Sequence, residues 1–468
     1  MKNQVYNPYL PLWEYVPDGE PHVFGDRVYI YGSHDRFNGR QYCENDYVCW
    51  SAPVTDLSDW RYEGVIYRKE QAWTKGRREK VMFAPDVARG HDGRYYLYYS
   101  LAFQNDIQVA VCDSPAGKYE FYGIVHHPDG VPYGKKKTDR FAFDPAVLAD
   151  DDGRVWLYSG FAGFAFFNNK YRQNQCMELE TDMLTVKSVK PLIPCRRTST
   201  GTGFEGHEFY EASSIRKFGG KYYFVYSTIL SHELSYAVSD RPDGGFSYGG
   251  TLHSNGNIGI GGNEKPQCYW GNNHGGIAYI NGKYYIFGHR QTNYHEYSRQ
   301  GVAEELRFEN GRFFPAEMTS CGLNGGPLRD IGVYPAGIAC VLMGRDGACK
   351  TTKVKNKAVH PCFTQDREDC EGGAIPYIHN MTDGAAAGYR YFSFAQAKEI
   401  TIRFRGSGSG RMLVSHEPDG DPIGQLTLCA NDSWTETGAS ITPKMGKQAL
   451  YFRYQGTGSF DLQQFELK

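Results

Sequence analysis

The chain has 468 residues, with 51 Lys and Arg against 53 Asp and Glu, for a formal net charge of −2. That balance gives no indication of nucleic acid or an anionic membrane as partner. Aromatic residues make up 15% of the chain, Tyr alone accounts for 36 positions and Gly for 55, a composition suited to many short strands and tight turns. The N-terminal stretch Met1 to Pro8 has no apolar run of the signal-peptide kind, and no stretch of about 18 apolar residues occurs anywhere, so no membrane span is expected. The 12 cysteines are scattered without a CxxC pair. They read as buried, reduced thiols of a cytoplasmic protein, or of a secreted one whose leader has been trimmed, and not as a zinc site.

In chain order, one hairpin recurs five times. Its turns lie at Asp26, Gly93, Gly153, Gly220 and Gly282, a spacing of 60 to 67 residues. Each has a turn residue, Gly or Asp, a basic residue and then an aromatic strand: Arg27-Val28-Tyr29-Ile30-Tyr31, Arg94-Tyr95-Tyr96-Leu97-Tyr98, Arg154-Val155-Trp156-Leu157-Tyr158, Lys221-Tyr222-Tyr223-Phe224-Val225 and Lys283-Tyr284-Tyr285-Ile286-Phe287. Asp150-Asp151-Asp152 belongs to the third turn and is read as turn chemistry, not a calcium loop. A unit of this length holds about four strands, which is one propeller blade. Residues 1–325 are therefore expected to form a five-bladed β-propeller.

The innermost strand of each blade lines the central channel. Seven to nine residues before each turn stands one ionisable residue: Asp18, Asp86, Asp144, Glu211 and His274. Four carboxylates and one imidazole are thus expected to converge at one end of the channel. Carboxylates held close together push one another's pKa apart, so that one keeps its proton while another stays ionised. That is the equipment for acid and base work on a glycosidic bond.

These segments resemble glycoside hydrolase family 43, in the family's order along the chain. Val16-Pro17-Asp18-Gly19-Glu20-Pro21 is similar to the first-blade segment that carries the general base; Asp18 or Glu20 could serve, with Asp18 favoured by the register. The resemblance implies that Asp144, in Phe143-Asp144-Pro145, orients the acid and tunes its pKa, and that Glu211, in Tyr210-Glu211-Ala212-Ser213, is the general acid. It also implies that His274, in Gly271-Asn272-Asn273-His274-Gly275, lies in the channel beside a calcium or sodium ion, and that Arg290, after His289, contacts the sugar. Asp86 is expected to bind substrate or channel backbone; Trp13, Phe37, Phe83 and Phe103 are candidates to pack against sugar. The family inverts, so acid and base are expected roughly 6.5–9.5 Å apart. No cofactor is expected for the chemistry.

After Gly322-Leu323-Asn324-Gly325-Gly326 the composition changes. Residues 326–350 read as an interdomain segment and 351–468 as an antiparallel, jelly-roll-like β-sandwich, its strands separated by turns such as Gly406-Ser407-Gly408-Ser409-Gly410. The stretches Ile378-His379-Asn380-Met381-Thr382-Asp383-Gly384, Ala387-Gly388-Tyr389-Arg390-Tyr391-Phe392 and Gly456-Thr457-Gly458-Ser459-Phe460 resemble a family 6 carbohydrate-binding module, which implies glycan contact through Tyr389, Tyr391 and Trp434. The expected activity is an exo-acting α-L-arabinofuranosidase on arabinoxylan, arabinan or xylan fragments. The alternatives are a β-D-xylosidase, an enzyme with both activities, or a non-catalytic glycan-binding protein on the same scaffold.

Overall fold

The computed structural model describes residues 3–74, 81–102, 104–163, 173–369 and 372–468; Phe103 lies outside them. Blade one consists of Glu20–Phe24, Arg27–Tyr31, Tyr47–Pro53 and Arg61–Tyr67, hydrogen-bonded in chain order. Blades two, three and four repeat this four-stranded order and start at Asp86–Arg89, Ala146–Ala149 and Phe209–Phe218. Blade five has three strands, Ile277–Ile280, Lys283–Thr292 and His295–Leu306. A parallel bridge from Gly19 to Gly275 closes the ring between blades one and five.

The aromatic strands are what hold the ring together. Tyr31, Tyr98 and Tyr158 occupy the same place in three successive blades, Val225 stands there in blade four, and all four are fully buried. Each apolar cluster straddles two neighbouring blades: Tyr31 and Tyr47 pack with Leu97 and Tyr99, and Trp156 and Tyr158 pack with Phe224 and Tyr226. Side chains of this size bury roughly 150–250 Å² each, so the blade-to-blade seams carry much of the hydrophobic stabilisation. The connecting turns differ in length. Gly219-Gly220, both at positive φ, is a two-residue hairpin loop, whereas blades two and three use the longer turns 90–94 and 150–154.

The C-terminal domain is a single curled, mixed sheet of ten strands, not two separate antiparallel layers. Its apolar core runs from Leu328 to Leu467. The Gly-Ser stretch expected to be a turn lies inside one long strand, Glu399–Ser415. The first half of that strand pairs with Ser459–Leu467 and the second half with Gly446–Gly456, so it passes from one face of the curl to the other. Gly406 and Gly408 make the bend: a Cβ on Gly406 would lie 2.2 Å from the Ser459 carbonyl oxygen, and one on Gly408 2.1 Å from that of Thr457. Leu328–Arg329 adds in parallel to Ala386–Phe394, and Gly332–Pro335 and Val341–Met343 join the same sheet. The apolar segment 328–343 therefore builds the C-terminal core. Among the described residues no helix is long and apolar enough to cross a membrane.

Arg290 sits where the two domains meet, not in the channel. Its guanidinium donates to Gln300 Oε1 at 2.7 and 3.0 Å, to the Gly337 carbonyl at 2.7 Å and to the Ala339 carbonyl at 3.0 Å, and it stacks 3.8 Å from the Phe363 ring centroid. Strand alternation explains the difference from expectation. His289 faces the channel, so the next residue must face the other way. Replacing Arg290 with Met leaves buried carbonyls without donors; the variant is expected to be about 3 kcal/mol less stable. Urea denaturation of the full chain checks this, and an unchanged midpoint would show that Arg290 does not tie the domains together.

Candidate active site

The inner strands present two layers of channel residues. Cross-strand pairing aligns Glu20 with Tyr31, Asp86 with Tyr98 and Ala146 with Tyr158. Two residues before these, and at the corresponding places in blades four and five, stand Asp18, Ala84, Asp144, Glu211 and His274. All five line one pocket of about 370 Å³. Asp86 belongs to the layer beneath. Counting back from turns of unequal length hid this offset of two residues, which in a strand is one full layer on the same face.

Asp86 is fully buried and works as a bolt between blades. It takes His22 Nε2 at 2.6 Å and the backbone N–H groups of Val87 and Val147, each at 2.8 Å. Glu20 lies in the same lower layer, where its Oε2 accepts from Ser214 Oγ at 2.9 Å and Arg216 Nη2 at 2.7 Å. Trp13 does not line the pocket; it borders a separate cavity beside Glu14 and His34 and packs 6.3 Å from Trp50. Phe37 packs 5.8 Å from Tyr15. Phe83 does line the pocket, opening an aromatic wall of Phe83, Phe143, Phe161 and Tyr210 with successive centroids 5.3, 5.3 and 5.5 Å apart.

Asp18 stands just outside its strand at φ 57°, a conformation Asp tolerates better than most residues. Its Oδ1 accepts from Arg299 Nη1 at 3.0 Å and lies 3.2 Å from His289 Nδ1. Arg299 is gripped in turn by Asp35, through Nε at 2.8 Å and Nη2 at 3.0 Å. Burial alone would raise the Asp18 carboxyl, but the Arg299 guanidinium and then His289 hold it well below the usual carboxylate range.

Glu211 has the opposite environment. Burial first, and then the negative charge of Asp18, push its carboxyl up to about 7. A bulge in strand Phe209–Phe218 turns it into the pocket, with Ala212 at φ 68°. That left-handed backbone is held by Asp144, whose Oδ2 accepts the Ala212 N–H at 3.1 Å. Burial, and next the neighbouring Glu211, also raise the Asp144 carboxyl well above its ordinary value. Three of the four acidic groups that line the pocket are thus split into an ionised member paired to arginine and two that favour their protons.

His274 lies 3.7 Å from Asp144 Oδ2 through Nδ1 and 3.8 Å from Glu20 Oε1 through Nε2. His274 Nε2 and Glu20 Oε1 are both buried without a hydrogen-bond partner. Burial lowers the imidazole to about 4, so at neutral pH it offers a lone pair. An imidazole nitrogen and a carboxylate oxygen left unused at this spacing fit a hydrated calcium or sodium ion. Among the described residues the other cluster of potential ligands, Glu20, His22 and Asp86, already has Arg216 inserted against Glu20.

The sequence reading missed Arg299, Glu296, Tyr42, Asn272 and Lys350, all of which line the pocket. Arg299 is placed by the cross-strand register, which the sequence does not mark. His289 pairs with Gly301 across the sheet, so Arg299, two residues before Gly301, shares the His289 face. Replacing Arg299 with Met removes the cation that holds Asp18 down. An acidic limb of kcat/KM, which Asp18 does not contribute in the ordinary carboxylate range while Arg299 is present, is expected to appear there; a pH profile unchanged from wild type would separate Arg299 from the Asp18 ionisation.

Residues 14–314 match the family model of Glycosyl hydrolases family 43. A "Xylosidase/arabinosidase" of Thermoclostridium stercorarium is 48% identical over 100% of this chain and 99% of its own length. A solved beta-xylosidase/alpha-arabinofuranosidase of the same family from a compost metagenome, in a calcium-free complex with xylotriose, is 26% identical over 67% of this chain and 98% of its own, with a TM-score of 0.51. The fold of a Bacillus subtilis arabinoxylan arabinofuranohydrolase, solved with cellotetraose, extends over 99% of this chain at 20% identity and a TM-score of 0.51. With the propeller, the acidic pocket and a relative matched along its whole length, the chain belongs to glycoside hydrolase family 43 and is a glycoside hydrolase.

Proposed function

We propose that the protein is an inverting exo-glycosidase that removes single terminal pentosyl units, α-L-arabinofuranosyl and β-D-xylosyl, from arabinoxylan and xylan fragments. The observation that carries this reading is the division of proton affinity across one pocket: an Arg299-bound Asp18 that stays ionised, and a Glu211 that keeps its proton up to about pH 7. The choice of sugars rests on the relatives, whose names join xylosidase and arabinosidase activity. A volume of about 370 Å³ is at the small end for ligand pockets and suits a terminal sugar better than the middle of a polymer.

In this mechanism Asp18 takes a proton from a water molecule as that water attacks the anomeric carbon. Glu211 gives its proton to the departing glycosidic oxygen. Asp144 acts through the Ala212 N–H, fixing the strained turn on which the Glu211 side chain is mounted. Asp18 is favoured over Glu20 as base because Glu20 lies in the lower layer and is occupied by Ser214 and Arg216. A cation beside His274 and Glu20 would add positive charge beneath the pocket and favour the ionised carboxylates above it.

The acid must be protonated, so kcat/KM is expected to fall as pH rises through about 7, the value to which the Glu211 carboxyl is raised. The Asp18 carboxyl, held low, stays ionised through the ordinary carboxylate range and adds no acidic limb there. Glu211→Gln is expected to lose about 10²–10⁴-fold in kcat on arabinosides and xylosides with poor leaving groups. Proton NMR of the first sugar released should show inversion at the anomeric carbon; retention would overturn the scheme. Wild-type failure to cleave either pentoside would instead favour a glycan-binding protein.

A further inference from the structure

The pocket has one lining residue that the propeller does not supply. Lys350 lies in the C-terminal part of the chain, between strand Val341–Met343 and the short turn Thr351–Lys353. It nevertheless shares a pocket wall with Asp18, Glu211 and Glu296. Its backbone is seated on the propeller. Lys350 forms a parallel bridge with Trp270, flanked by hydrogen bonds from Trp270 N–H to the Cys349 carbonyl at 3.4 Å and from Thr351 N–H to the Trp270 carbonyl at 2.8 Å. The ammonium lies 5.5 Å from the Trp270 ring centroid, which fixes its approach from below.

The side chain is not used up by these contacts. Lys350 Nζ is 3.8 Å from Glu296 Oε1, beyond hydrogen-bond length, and Lys350 is 27% exposed against 12% for Glu296. Glu296 Oε1 is buried with no hydrogen-bond partner, although the other oxygen of the same carboxylate accepts from Tyr42 OH at 2.8 Å. A donor and an acceptor therefore face one space with hydrogen-bonding capacity left over. An unpartnered buried carboxylate oxygen costs stability unless something that visits the site satisfies it. A sugar hydroxyl fits this pair, because it donates to the carboxylate and accepts from the ammonium through one oxygen. Phe83, Phe143 and Phe161 line the same pocket with ring surface and supply no hydrogen-bonding group to the sugar.

We propose that Lys350 and Glu296 jointly grip a hydroxyl of the bound glycoside, so that the C-terminal domain supplies a substrate-positioning residue to the active site of the propeller. The inference rests on the pocket being the glycoside site of the proposed function. It makes the second domain part of the catalytic unit.

The test uses the full chain carrying Lys350→Met, Lys350→Arg or Glu296→Gln, with kcat and KM measured on an aryl arabinofuranoside and an aryl xyloside and thermal midpoints alongside. K350M is expected to lose about 10- to 100-fold in kcat/KM, the size of one charge-assisted hydrogen bond, at an unchanged midpoint. K350R is expected to recover most of the loss, and E296Q to be impaired on the same substrates. A K350M within two-fold of wild type on both substrates would overturn the inference. So would a loss that tracks a lower midpoint and is as large in K350R, since Lys350 would then be a structural seat only. If wild type cleaves neither pentoside, the glycosidase reading itself fails. Calorimetric titration of wild type and K350M with xylotriose then decides separately, and equal affinities would reject the Lys350 grip.

Discussion

Arg299 is the residue on which the chemistry of the pocket depends. It is a fully buried cation held by two carboxylates, Asp35 in a two-pronged grip and Asp18 by a single bond. A guanidinium cannot give up its charge, and its planar fork fixes where that charge lies. Asp35 therefore acts as an anchor and Asp18 as the group whose ionisation is set by the anchored cation. For Glu211, desolvation and then the repulsion of Asp18 outweigh the pull of the same arginine and of Lys350. Two acidic side chains thus behave oppositely within a single cavity, one bonded to the cation and the other governed by burial.

The propeller supplies the rigid frame that such a division requires. The channel residues come from five different blades, and the seams between blades are packed with Tyr, Phe and Trp. Asp86 strengthens this frame at the level below the pocket by joining blade two to the Val147 N–H of blade three. A carboxylate in the channel can therefore be structural or chemical, and its depth decides which.

The fold was legible because its repeat rests on turn residues and aromatic strands, both local signals. Asp18, Asp144, Glu211 and His274 were legible for the same reason, each standing eight or nine residues before a hairpin turn. Asp86 was misplaced because that distance includes the turn, and turns vary in length where the hydrogen-bonded register does not. Arg290 was misassigned although alternation along its own strand pointed it away from His289. Glu296, Tyr42 and Lys350 carry no local mark; they meet only when blades one and five and the segment after Met343 are folded together. Among the aromatics proposed for the C-terminal domain, Tyr389 is a buried core residue bonded to the Ala336 carbonyl, and Tyr391 donates to Glu317, which leaves Trp434 partly exposed but stacked by Arg405. Burial of this kind is set by how the sheet curls, which short-range pattern does not encode.

The unequal hairpin turns have a consequence for how this scaffold can vary. A turn such as 90–94 lies at the far end of the strand from the pocket, and its length is absorbed before the strand reaches the channel. Sequence drift there is silent at the site. The same two-residue change at the channel end of a strand would exchange a group of the upper layer for one of the lower. Blade number and strand pairing would survive, yet a residue that holds blades together would stand where one that moves protons is needed. The propeller is in this sense permissive at one end of each inner strand and digital at the other.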